Sequence, residues 1–164
     1  MNLHEEYMRQ ALEEAQMAAS KGEVPIGAVA VVNDEVVAKA HNLRETTQDP
    51  LGHAELLLLK NLKGNGSWRL TDVTIYVTCE PCIMCMGALI HTRVPRLVFG
   101  CFEPKTGACG SLYDLSKDTR LNHRIEVVSG VLAEECGELL TKFFKKLRIR
   151  RGTKVAEPAR LESV

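Results

Sequence analysis

Val73-Thr74-Ile75-Tyr76-Val77-Thr78-Cys79-Glu80-Pro81-Cys82-Ile83-Met84-Cys85 changes character halfway along. Val73–Thr78 is rich in β-branched residues and reads as a strand. Pro81 then opens a helix running to about Thr92, because proline is favoured at the first helical position, where its missing N–H is no loss. A strand feeding directly into a helix is half of a crossover unit, so this stretch calls for a sheet covered by helices. Downstream, Arg96–Phe99 is a strand ending at Gly100, Glu103–Ser111 is a loop of small residues, Ile125–Val128 is a strand and Ala133–Leu147 a final helix.

Upstream, Leu3–Ser20 carries an apolar stripe of Tyr7, Met8, Ala11, Leu12 and Ala15 at helical spacing, and Lys21-Gly22 closes it. Ile26–Val32 is almost continuously apolar, as a strand covered on both faces should be. Asn33-Asp34 is a tight-turn signal, and Glu35–Ala40 returns as the second strand of a hairpin. After a loop, His53–Asn61 reads as a buried helix, and Gly64-Asn65-Gly66-Ser67 breaks the chain. The order α-β-β-α-β-α-β-β-α predicts an α/β fold, a three-layer α/β/α sandwich around a mixed five-stranded sheet. We assign one domain to residues 1–150 and a basic, flexible tail to 151–164.

The chain has 164 residues, 45% hydrophobic and 26% charged, which suits one core and excludes a disordered or collagen-like protein. Its apolar runs fall far short of the roughly 20 residues a membrane span needs. The N-terminus is acidic where a signal peptide would be basic, so a cytoplasmic location is expected. Net charge is zero, but its distribution is lopsided: residues 1–60 hold 5 basic and 10 acidic side chains, residues 61–164 hold 16 and 11. Lys142, Lys145, Lys146, Arg148, Arg150, Arg151 and Lys154 form an acid-free run. Such a run can track a phosphate backbone. Taken alone it reads first as a solvated helix end, where cations complement the helix dipole.

Six cysteines stand at 79, 82, 85, 101, 109 and 136, three of them within seven residues. Without a secretion signal, that clustering points to metal or catalysis rather than disulfides. His53, Cys82 and Cys85 supply one imidazole and two thiolates, a zinc set that leaves a fourth tetrahedral position for water, as catalytic sites do. Cys79 is the alternative fourth ligand that would close the site, although Pro81 fixes the turn between it and Cys82. Cys82 and Cys85 are three apart in one helical turn and share a face. His53 and Glu55 are two apart, about 200° around a helix, and converge only if the metal lies over the helix start, toward which side chains lean. Two helix N-termini should therefore meet at the metal and favour thiolate and hydroxide. Glu55, held off the metal in a dry pocket, is suited to proton transfer with a raised pKa. Cys101, Cys109 and Cys136 read as small buried hydrophobes, and Asn42 on its own as a loop cap.

His53-Ala54-Glu55 with Pro81-Cys82-Ile83-Met84-Cys85 matches the H-x-E…P-C-x-x-C signature of zinc nucleobase deaminases. Glu23-Val24-Pro25-Ile26-Gly27-Ala28-Val29, Lys105-Thr106-Gly107-Ala108-Cys109-Gly110-Ser111 and Asn122-His123-Arg124 narrow the likeness. Over about residues 4–147 the chain resembles the bacterial tRNA-specific adenosine deaminases of the cytidine deaminase superfamily. The resemblance implies a zinc-dependent homodimer that converts the wobble adenosine of a tRNA anticodon to inosine, with Glu55 as the proton shuttle. It implies Asn42 and Val24 at the flipped base, the backbone amides of Ala54 and Cys82 polarising the reacting group, and Glu103 in a loop that contacts the target nucleotide. Lys105 and the basic C-terminal helix would hold the RNA. Glu103 departs from the usual aspartate, and Cys79 from a larger apolar residue. The competing readings are a free guanine or cytosine deaminase and a non-catalytic zinc-stabilised RNA-binding subunit. A small neutral base needs no basic run, and a pseudo-enzyme would be expected to lack Glu55.

Overall fold

The computed structural model describes residues 2–62 and 66–153. Gly64 and Asn65 of the expected chain break, and residues 154–164 of the expected tail, including Lys154, lie outside the described residues. Helix α1 spans Leu3–Ser20 and starts at Asn2, whose side chain accepts the Glu5 amide at 2.9 Å. Its buried stripe includes Tyr7, Met8, Ala11, Leu12 and Ala15. Strands β1 (Gly27–Val32) and β2 (Glu35–His41) pair antiparallel. Asn33 and Asp34 between them both take positive φ, 49° and 62°, the turn whose twist suits a two-residue hairpin. Gly27 lies so close to α1 that an added Cβ would overlap the Ala11 backbone.

Helices α2 (Arg44–Thr47) and α3 (Ala54–Asn61) precede β3 (Thr74–Cys79). Then come α4 (Ile83–His91), β4 (Arg96–Cys101), a 3-10 turn (Leu115–Lys117), β5 (Glu126–Val128) and α5 (Ala133–Thr153). The sheet order is β2-β1-β3-β4-β5, with β1 antiparallel to β3 and with β3, β4 and β5 parallel. Alternation within the strands feeds two cores. Ala28, Ala30, Ile75, Val77, Leu97 and Phe99 face the side of α3 and α4, where Leu58, Met86 and Leu89 pack. Val29, Tyr76 and Val98 face the other side, with Met8 of α1 and Cys136 of α5. This is the expected three-layer sandwich, and the double coverage explains why Ile26–Val32 reads as an almost continuous apolar run.

Three local readings change. Helix α4 starts at Ile83 rather than Pro81. Pro81 and Cys82 stay extended because the loop beyond β4 pairs with them: the Ala108 amide donates to the Pro81 carbonyl at 2.9 Å, and Cys82 bridges Gly107. Helix α5 continues past Leu147, its expected end, to Thr153, three residues into the stretch assigned to the tail. Lysine and arginine are good helix formers and sit well at a helix C-terminus, so losing the apolar stripe does not end the helix. The short helix α2 had no periodic signal, since no residue of it is buried.

Candidate active site

His53 caps the N-terminus of α3, and Cys82 caps that of α4, both in extended backbone. Cys85 sits in the first turn of α4 and is fully buried. The expected convergence of two helix starts is therefore present. His53 Nδ1 lies 3.7 Å from Cys82 Sγ and 3.6 Å from Cys85 Sγ. Bonds of about 2.3 Å to sulfur and 2.0–2.1 Å to nitrogen at a tetrahedral centre would place S and N about 3.6 Å apart. Both distances from the imidazole thus match those around one tetrahedral ion, and all three donor atoms lie within 4.8 Å of one another. Among the described residues they form the one group of His, Cys, Asp or Glu side chains close enough to share a metal.

The protonation pattern suits metal uptake. The Cys85 thiol and then the His53 ring donate to Cys82 and lower its pKa to about 4. Cys85 is pushed up by its bond to the Cys82 thiolate and by burial. The bond to Cys82 also raises His53, more than burial lowers it. A metal would displace these protons and use the same atoms. Cys79 stays outside the group: it is buried, and its thiol bonds to Cys101, which with burial holds its pKa up.

Glu55 lies in the first turn of α3, 4% exposed, with the Cys85 thiol 3.4 Å from Oε2. Burial raises its pKa above the usual carboxylate range. A cavity of about 130 Å³ opens over these groups, lined among others by Val24, Asn42, Ala54, Glu55 and Glu103. Four of the five expected substrate residues thus line it. Lys105 does not; it lines an adjoining groove of about 990 Å³ that shares Val24, Arg44 and Glu103 with the cavity. The far wall of that groove is α5, through Phe143, Phe144, Arg148 and Arg151. Asn42 also acts as the loop cap that its residue type suggests, accepting the Arg44 amide at 3.1 Å.

Two buried carboxylates beside the cavity, Glu23 and Glu80, lie in segments that carry the family likeness, but no periodicity marked them as buried. Glu23 is completely buried and accepts the Glu45 amide at 3.0 Å and the Thr46 amide at 2.7 Å, capping α2 where Leu43 has no capping side chain. Glu80, 4% exposed, accepts the amides of Glu103, Cys109 and Ser111, each at 3.0 Å, and the Ser111 hydroxyl. In the sequence each is a carboxylate flanking an apolar stretch, which ordinarily means a strand end in water. His123, singled out with its neighbours, is a tether: its Nε2 lies 2.7 Å from the Val94 carbonyl oxygen.

Residues 2–148 match the MafB19-like deaminase family. The chain is 53% identical over 152 residues to a tRNA-specific adenosine deaminase of Bacillus subtilis (strain 168), covering 92% of this chain and 94% of that one. It is 47% identical to the protein of the same name in Haemophilus influenzae, covering 98% and 92%. A solved tRNA:A34 deaminase, from a study of A-to-I editing at the wobble position of transfer RNA, superposes with a TM-score of 0.78 at 36% identity, over 82% of this chain and 99% of that one. Guanine deaminase from Nitrosomonas europaea superposes with a TM-score of 0.71 at 21% identity over 85% and 83%, a likeness of fold alone.

Proposed function

The chain belongs to the MafB19-like deaminase family and to the tRNA-specific adenosine deaminases, and from that premise we propose that it converts the wobble adenosine of a tRNA anticodon loop to inosine. It is a hydrolytic deaminase: adenine and water become hypoxanthine and ammonia. The observation that carries the RNA reading is the groove. A pocket for one base opens into a channel walled by Lys105, Arg44, Arg148 and Arg151 with Phe143 and Phe144, the mixture of cations and aromatic faces that single-stranded nucleic acid uses. A free purine would need the inner cavity only.

His53, Cys82 and Cys85 would hold one Zn²⁺, since two thiolates and an imidazole are a zinc rather than a magnesium or calcium donor set. When bound, the ion supplies Lewis acidity, which makes water at the site acidic enough to react near neutral pH. Glu55 takes a proton from the attacking water and delivers it to a ring nitrogen of adenine. It then carries the proton of the newly added hydroxyl to the departing amino group as the carbonyl forms, and its raised pKa suits it to both transfers. The amides of Ala54 and Cys82, at two helix starts, polarise the reacting group. Val24, Asn42 and Glu103 hold the extruded base, and Lys105 steadies the strand beside it. Extruding a base from a single-stranded loop costs less than from a duplex.

Apolar side chains exposed at Ile83, Leu112 and Tyr113 are what a second copy would cover, which supports a homodimer. Among the described residues no helix is long and apolar enough to cross a membrane, in keeping with an enzyme that meets tRNA in the cytoplasm.

The test is inosine formation by zinc-loaded protein on an anticodon stem-loop bearing a wobble adenosine, beside free adenosine, cytidine and guanine. Inosine in the stem-loop alone is expected. Turnover of a free base with an untouched stem-loop would overturn the RNA assignment and leave the chemistry of Glu55 standing.

A further inference from the structure

Glu80 stands directly before Pro81-Cys82, so its backbone belongs to the turn that delivers a metal ligand. Its side chain belongs to a different part of the molecule. Oε1 accepts the Glu103 amide and the Ser111 hydroxyl, and Oε2 accepts the amides of Cys109 and Ser111. Every hydrogen bond described for this buried carboxylate therefore comes from the two ends of one loop. That loop carries Glu103 and Thr106 into the cavity and Lys105 into the groove. Gly107 lies against the carboxylate, and a Cβ there would overlap it.

Among the described residues no cation forms an ion pair with Glu80; oriented N–H and O–H groups stabilise its charge. Such bonds to a buried carboxylate are strong and directional, and they fail together if the acceptor changes. In the backbone, Ala108 N donates to Pro81 O at 2.9 Å and sets the same loop against the same turn, while Glu80 N donates to Cys101 O at 2.9 Å and anchors the turn to the end of β4. A loop pinned at both ends to the ligand turn keeps a fixed distance between the reacting atoms and the groove wall.

We propose that Glu80 is a positioning residue for the substrate strand: it holds the Glu103–Ser111 loop in register with the Cys82 turn, and so sets how tightly the nucleotides beside the target base are gripped. The inference rests on the RNA reading above and adds to it the device that holds one groove wall. Glu80 reaches the cavity wall, but every hydrogen bond described for its carboxylate goes to the loop, so its loss acts on binding before chemistry.

The experiment compares Glu80→Gln with the wild-type holoenzyme. Glutamine keeps the shape but turns an NH₂ toward N–H donors that need an acceptor. KM for the stem-loop should rise about tenfold while kcat stays within about threefold, the split expected when ground-state binding is lost. Zinc content should remain stoichiometric, and amide exchange should accelerate in residues 103–111 without spreading to β3 or β4. Gly107→Ala should reproduce the defect alone and cost less in a Glu80→Ala background, where the obstructing carboxylate is gone. Ser111→Ala, which removes one of the bonds, serves as the milder variant if Glu80→Gln does not fold. An unchanged KM with unchanged exchange overturns the proposal, as does a kcat that falls in step with lost zinc in all variants. Wild-type protein that converts no stem-loop adenosine would sink the substrate reading instead, and the exchange pattern would still decide the role of Glu80.

Discussion

His53 and Cys82 cap two different helices, α3 and α4, and their side chains meet with Nδ1 3.7 Å from Sγ. One imidazole and one thiolate thus lie where the positive ends of two helix dipoles converge. An ion held by these donors would tie together the two halves of the α3–α4 layer. His53→Ala or Cys82→Ser should lose zinc on dialysis against a mild chelator and melt at a lower temperature than the zinc-loaded wild type. Elemental analysis and thermal unfolding with and without zinc check this; a stoichiometric metal content in either variant would remove that residue from the ligand set.

Glu55→Gln should keep zinc and RNA binding while kcat falls by about 10²–10⁴, the usual contribution of a positioned acid–base group. Stopped turnover with retained metal separates proton transfer from site integrity. Substantial activity in the zinc-replete variant would take Glu55 out of the shuttle role.

Arg148 and Arg151 line the groove from the last turns of α5, beyond the apolar part of the helix. Reversing either charge should raise KM for the stem-loop with little change in kcat. It should also flatten the salt dependence of binding, by about 0.7 in the slope of log K against log salt for each single-strand phosphate that is no longer neutralised. Fluorescence anisotropy across a salt series measures both. Identical slopes for wild type and variants would place the RNA elsewhere.

Gly27→Ala tests the packing of α1 on the sheet. The added methyl meets the backbone at Ala11 and Ala15, which cannot rotate aside as a side chain can. Destabilisation at or above the upper end of the roughly 1–3 kcal/mol typical of overpacking is expected, read as a lower midpoint in denaturant. A midpoint matching wild type would show that α1 shifts freely.

Glu23 predicts an acid response. Burial alone would raise its pKa, but bonds from the Thr46 side chain and from the amides of Thr46 and Glu45 outweigh that, and the net shift is downward. A carboxyl held below its unfolded value stabilises fully above the ordinary carboxylate pKa, about 4.3. That stability is lost as pH falls through the lower folded value. The advantage of wild type over Glu23→Gln should therefore be constant near neutrality and shrink below about pH 4. Denaturant titrations from neutral to acid pH measure it; a gap that widens on acidification would contradict the sign.

The layers of the fold were legible because local pattern carried them. The almost continuous apolar run at Ile26–Val32 requires a covered strand, the β-branched stretch at Val73–Thr78 a strand, and Asn33-Asp34 a turn. The donor set was legible too, because Cys82 and Cys85 are one helical turn apart and His53 heads a second helix. Helix ends were harder: Pro81 is excluded from α4 by pairing with residues 107–108, which lie far from it in sequence.

Glu23 and Glu80 mark the boundary between the two kinds of information. The type and spacing of residues along the chain determined the elements, the zinc-like donor triad and the candidate acid–base carboxylate: the elements and the Cys82–Cys85 pair depend on near neighbours, and His53 and Glu55 join them through the H-x-E…P-C-x-x-C pattern. That Glu23 and Glu80 are buried clamps, that Cys79 turns to Cys101 rather than to the metal group, and that Lys105 lines the groove rather than the inner cavity were decided only in three dimensions. The physical reason is that a carboxylate or thiol is defined by its donors. Those donors come from loops tens of residues away, which only the closed sheet brings within hydrogen-bonding distance.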